Sequence, residues 1–85
     1  MVLVLGGSVR AESEAMPILQ QAFEHPKDPA ALEQDLAGID AVIARVPKDA
    51  VAQYARGWVL SRLGRADDSV AAYDRAFELD GRLAD

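Results

Sequence analysis

The chain contains no cysteine, no asparagine and no threonine, and it has a single histidine. Without thiols it builds no disulfide framework, thiolate metal site or thiol nucleophile. That absence leaves the redox compartment open. His25, with no second imidazole or thiol to join it, does not make a zinc site, and its place between Glu24 and Pro26 predicts a helix-terminal charge. Long apolar runs are missing too. The longest one free of glycine is Met1–Leu5, far below the roughly 20 residues of a membrane-spanning helix. Basic residues are the minority, 9 against 14 acids, for a net charge of −5. This argues against a partner that wants a basic face, whether nucleic acid or anionic membrane. Cofactor and metal sites are not expected, and neither is enzymatic activity.

What remains is apolar and helix-prone. The chain has 85 residues, 51% hydrophobic and 27% charged, which fits one small domain or a piece of a larger one and not a disordered tail. Alanine is the commonest residue, at 16 positions, and it loses no side-chain entropy on becoming helical. Pro17, Pro26, Pro29, Pro47, Gly57, Gly64 and Gly81 punctuate four predicted helices with short connections. The first runs over Glu14–Glu24 behind Ser13, with Ile18, Leu19, Ala22 and Phe23 as its apolar stripe. The second has Asp28 as N-cap and Pro29 at its first position, and Pro47 stops it. Its predicted buried face is Leu32, Leu36, Ile39, Ile43 and Val46, and Gly38 marks a close helix approach. The third covers Ala50–Leu63 behind Asp49, closed by Gly64 as a left-handed cap. The fourth covers Asp67–Leu79, with Asp67 and Asp68 suiting the positive end of its dipole and Val70, Tyr73, Ala76 and Phe77 as its stripe.

Residues 1–12 form an N-terminal extension ahead of a helical domain at 13–85. Met1–Ser8 reads as a strand and turn without a second strand, and Val9-Arg10-Ala11 is similar to the polar end of a secretory signal peptide, though no basic region precedes it. The default compartment is the cytoplasm, with a periplasmic or secreted location as the alternative. Gly6-Gly7-Ser8 lacks the downstream glycine and the Lys-Ser/Thr pair of a nucleotide-binding turn.

Pro47 and Gly81 stand 34 residues apart, each just after a predicted helix. Thirty-four is the period of the tetratricopeptide repeat, a helix–turn–helix unit. Residues 50–83 resemble one such repeat: Gly57, Leu60, Gly64, Ser69, Tyr73, Ala76 and Phe77 fall on its packing positions, and Phe77-Glu78-Leu79-Asp80 is similar to its ending. Gln53, Arg56 and Gly81 depart from the usual Trp, Leu and Pro. A degenerate copy covers about 16–49. The resemblance implies an all-α fold of stacked antiparallel helical hairpins, a right-handed α-solenoid of about four helices. A plain four-helix bundle with accidental spacing is the alternative.

By the same resemblance, the first helix of each repeat lines a concave groove, which would place Val51, Tyr54, Trp58, Ser61 and Arg62 on or beside a partner-binding face. Tyr54 and Trp58 share one helix face and are of the type that anchors interfaces. An apolar or proline-containing peptide segment is the expected occupant. The alternative for Trp58 is packing against Phe23. The positions that grip a C-terminal carboxylate in this family hold Tyr54 and Trp58 here, against a chaperone-tail receptor. Arg56 and Arg62 are expected on a solvated rim. The implied function is a protein-interaction scaffold. The alternatives are a repeat appendage of a larger enzyme, such as a transferase, or a bundle adaptor. Because a repeat does not bury its apolar face alone, association with like chains, with another helical protein or with further repeats is expected.

Overall fold

In the computed structural model, residues 13–84 are described, and the expectations for residues 1–12 lie outside them. Four α-helices follow in order: α1 at Ala15–Phe23, α2 at Pro29–Arg45, α3 at Ala50–Arg62 and α4 at Ala66–Leu79. A 3-10 turn at Gly81–Ala84 closes the described chain.

The helix ends follow from local chemistry. Asp28 Oδ1 accepts from Ala31 N at 3.2 Å, and Pro29 takes the first helical position, where a missing N–H costs nothing. Asp49 Oδ1 accepts from Ala52 N at 3.0 Å and starts α3 in the same way. Gly64 adopts φ of +78°, as a left-handed cap requires. Arg65 N then donates to Leu60 O at 2.9 Å and Gly64 N to Ser61 O at 3.2 Å, satisfying two terminal carbonyls. Ser13 sits one residue outside the cap position, which Glu14 holds without a side-chain bond. Its hydroxyl oxygen still accepts from Ala15 N at 3.0 Å.

α3 is the central rod, packed on each of the other three helices. Its pairing with α4 is the most extensive, followed by α2 with α3. α1 touches α2 and α3, whereas no comparable contact joins α1 to α4. A closed four-helix bundle would bring its first and last helices together, so the contacts run sequentially instead. The core comprises Leu19, Leu32, Leu36, Ile39, Val42, Val59 and Leu60 with small Ala residues between them. Leu32, Ile39, Leu60 and Val59 are fully buried, each worth about 1.5–3 kcal/mol of transfer free energy.

Two glycines lie where helices meet, and Gly57 is the tighter of them. A Cβ on Gly57 would lie 2.7 Å from Tyr73 Cδ1, and one on Gly38 would lie 3.2 Å from Ile18 Cδ1. The hydroxyl of buried Ser69 donates to Gly57 O at 2.7 Å, fastening α4 to α3 at the same point.

Some expected core positions are corrected. Val46 is exposed because the chain has left the helix there, and Val42 is buried in its stead. Val70 is 57% exposed, while Ser69 and Ala72 face α3 from α4's buried side. Phe23 is 49% exposed at the end of α1. α4 begins at Ala66, one residue earlier than expected.

Candidate partner-binding face

Positions 51, 54, 58 and 61 recur at helical spacing along one side of α3, and each makes a different contact. Trp58 meets the Phe23 ring edge-on, centroids 4.8 Å apart, so two aromatics from neighbouring helices share one half-open surface. The Arg62 guanidinium lies 5.7 Å from the Trp58 ring centroid, within cation–π range. Arg62 is thus more than a solvated rim residue, being laid on the indole. Ser61 is exposed, and its hydroxyl donates to Trp58 O at 2.7 Å.

Tyr54 turns the other way. It meets Tyr73 of α4 edge-on at 5.2 Å, and Tyr73 stacks nearly parallel on Phe77 at 6.2 Å. Burial and the neighbouring Tyr54 push the Tyr73 phenol above its usual 10.0, while the Ser61 hydroxyl and the Arg62 charge pull it partly back. Val51 lines a shallow, open concavity of about 580 Å³ with Ser13, Val46, Leu79 and Arg82. Arg82 is clasped to Asp80, through Nε to Oδ1 at 2.9 Å and Nη2 to Oδ2 at 2.7 Å. Those bonds hold the Asp80 carboxyl at about 2.

The expected pair therefore divides: Trp58 joins Phe23 and Arg62, and Tyr54 joins the α4 aromatics. Gly57, Leu60, Ser69 and Ala76 are buried between α3 and α4, and Tyr73 and Phe77 are half-buried. Gly64 is the exposed turn residue.

Two polar contacts were not foreseen. His25 Nε2 lies 2.6 Å from Asp35 Oδ2, and Asp35 is only 6% exposed. His25, just past the end of α1, is thus also the partner of a buried carboxylate on α2. Asp35 interrupts the Leu32–Leu36–Ile39 stripe, and a charge inside an apolar stripe was the available signal, since such a group needs a partner. Arg56 Nε donates to Asp40 Oδ1 at 2.8 Å, so it is tied to α2 and is not a free rim cation.

Among the described residues no group of three His, Asp or Glu side chains is placed to hold a metal ion. No helix among them is long and apolar enough to cross a membrane. No family model, curated protein or solved structure matches the chain.

Proposed function

We propose that the chain is a protein-interaction module of tetratricopeptide type, acting by binding and not by catalysis. The face it offers is the side of α1 and α3 that carries Phe23, Trp58 and Arg62. Trp58 packs on Phe23, as the alternative for it expected; what supports a binding role is that the paired rings are not closed over. Both rings stay partly open to solvent, and the Arg62 guanidinium lies over the indole. Trp, with an apolar body and a polar tip, is among the commonest interface anchors. Direct contact of α1 with α3, absence of a comparable α1–α4 contact, and the Gly57–Tyr73 approach are what a stack of two hairpins requires. The occupant that suits such a face is an extended apolar or proline-containing segment, whose rings or aliphatic groups lie on the indole.

Trp58 is the chain's one tryptophan, so its emission reports on this face alone. Titration with short apolar, proline-containing peptides is expected to shift or quench that emission saturably. Phe23→Ala is expected to weaken binding about tenfold, the loss of one anchoring contact of about 1.4 kcal/mol. Circular dichroism checks that the helices persist. A panel in which no peptide changes Trp58 emission, with the fold intact, rejects the reading.

A further inference from the structure

A shift of 34 residues places α4 on α2, and it carries side chains as well as turns. On α2, Glu33 and Asp40 bracket the buried Leu36 and both reach across to the next hairpin. Asp40 receives Arg56 of α3, and Glu33 lies 3.9 Å from Arg65 in the turn after α3. Thirty-four residues on, Glu33, Leu36, Asp40 and Ile43 become Asp67, Val70, Asp74 and Phe77. The registers agree in depth as well. Asp35 is buried against His25 of the α1–α2 connection, and its counterpart Ser69 is buried and bonded to Gly57 O of α3. The stripe at 67, 70, 74 and 77 therefore points where a helix after α4 would lie.

Three of its four side chains are open, and Phe77 is half-buried. Leu36 is 6% exposed, whereas its counterpart Val70 is 57% exposed. Asp67 and Asp74 are exposed and, among the described residues, neither is in an ion pair.

We propose that this stripe docks a basic amphipathic helix of a partner protein, its apolar side on Val70 and Phe77 and two cations set to meet Asp74 and Asp67. The chain supplies the pattern for that helix: α3 itself, with Arg56 and the following Arg65, nine residues apart, opposite Asp40 and Glu33. Charge decides against a second copy of the chain. Two α4 faces brought together would oppose Asp67 and Asp74 to their own images. Docking α4 on α1 of another copy would offer Asp67 and Asp74 no cation, since Ala15–Phe23 contains neither Lys nor Arg. The apolar centre supplies most of the affinity, and the acids choose the partner and its register.

The probe is a fluorescein-labelled peptide of residues 48–65 carrying Gly57→Ala to raise its helicity. Its anisotropy is titrated against the full chain. Saturable binding is expected. Val70→Asp should weaken it at least about tenfold. Asp67→Lys/Asp74→Lys should weaken it about fivefold or more. A second peptide with Arg56→Glu and Arg65→Glu should bind that lysine variant better than it binds wild type. All substituted positions in the protein are exposed, and circular dichroism confirms the fold. Phe23→Ala should leave this affinity unchanged, which separates the α4 stripe from the Trp58 face. Absence of saturable binding up to about 1 mM, or equal affinity across the charge variants, overturns the proposal. So does sedimentation showing a wild-type dimer that Val70→Asp dissociates, which would assign the stripe to a second copy.

Discussion

Gly57→Ala tests how α3 and α4 meet, because two effects of known size oppose each other there. Alanine in a helix interior is about 1 kcal/mol better than glycine. Against this, the new Cβ would lie 2.7, 2.9 and 3.0 Å from Tyr73 Cδ1, Cε1 and Cγ. Ring atoms move as a unit, and this ring is held by Tyr54 on one side and Phe77 on the other. Overpacking of that kind costs about 1–3 kcal/mol, so the net change is a loss of up to about 2 kcal/mol. Gly38→Ala is the matched control. Its Cβ would come no closer than 3.2 Å, and only to Ile18 Cδ1, the free end of a flexible side chain. Here the propensity gain should prevail, leaving stability unchanged or raised by as much as about 1 kcal/mol.

The assay is urea unfolding followed by far-ultraviolet circular dichroism, with melting as a check. Each kcal/mol moves Tm by about 4–8 °C in a domain this small. A double-mutant cycle isolates the cause. In a Tyr73→Ala background the collision is gone, so Gly57→Ala should then stabilise, and the coupling should reach about 1–3 kcal/mol. Equal effects of Gly57→Ala and Gly38→Ala, or a coupling below about 0.5 kcal/mol, would refute the close approach as the spacing device.

Three further outcomes are expected. His25→Ala leaves the Asp35 carboxylate buried without its imidazole and should cost about 1–3 kcal/mol in urea unfolding. Adding Asp35→Leu should recover most of that, because removing both partners of a buried pair is nearly neutral. Burial and Tyr54 raise the Tyr73 pKa in the folded state, so its stabilisation is complete below the unfolded value of 10.0 and is lost as pH rises through the folded one. An ultraviolet titration should show a late tyrosinate phase that coincides with unfolding and disappears in Tyr73→Phe. Asp80 is held at about 2 by Arg82, so its contribution is present above the ordinary aspartate range and disappears as pH falls from about 4 towards 2. In NMR, signals from Gly81–Leu83 should titrate near pH 2 in wild type and near 4 in Arg82→Ala.

Helix positions were legible where a boundary carries a strong local signal. Asp28-Pro29, Asp49, Pro47 and Gly64 act within one turn of themselves, and tertiary packing had no reason to override them. Which side of each helix is buried was legible where large aliphatics repeat, as at Leu32, Leu36 and Ile39. It was obscured on α4, where the inner face is made of Ser69, Ala72 and Ala76. Small residues carry little hydropathy, yet they let helices touch, so the larger Val70 drew attention to the wrong side. Tyr54 and Trp58 illustrate a different limit. Four residues apart, they share a helix face, but a rotation of about 40° between them suffices to send one to α4 and the other to α1. The His25–Asp35 pair joins the α1–α2 connection to α2, which spacing along one helix does not encode.

The charges bear on whether the 34-residue period is accidental. Turn residues alone recur in many helical chains, because every helix must end and glycine and proline end them. Exposed carboxylates carry no such obligation. Yet Glu33 and Asp40 recur as Asp67 and Asp74 at the interval that separates Pro47 from Gly81. In the first copy both acids face cations of the next hairpin, and in the second they face none among the described residues. A closed bundle gives α2 and α4 no common neighbour geometry and hence no reason to share a charged register. A stack does, since each second helix must receive a rod on the same side. Reversing the charges at 33 and 40 should therefore weaken the α2–α3 contact within the chain by only about 0.2–1 kcal/mol per pair. At 74 the same reversal should leave stability unchanged and alter binding alone, whereas at 67, in the first turn of α4, it also costs about 0.3–1 kcal/mol of dipole interaction. A stability loss at 74 equal to that at 40 would mean that α4 already has its neighbour, and would count against a stacked arrangement.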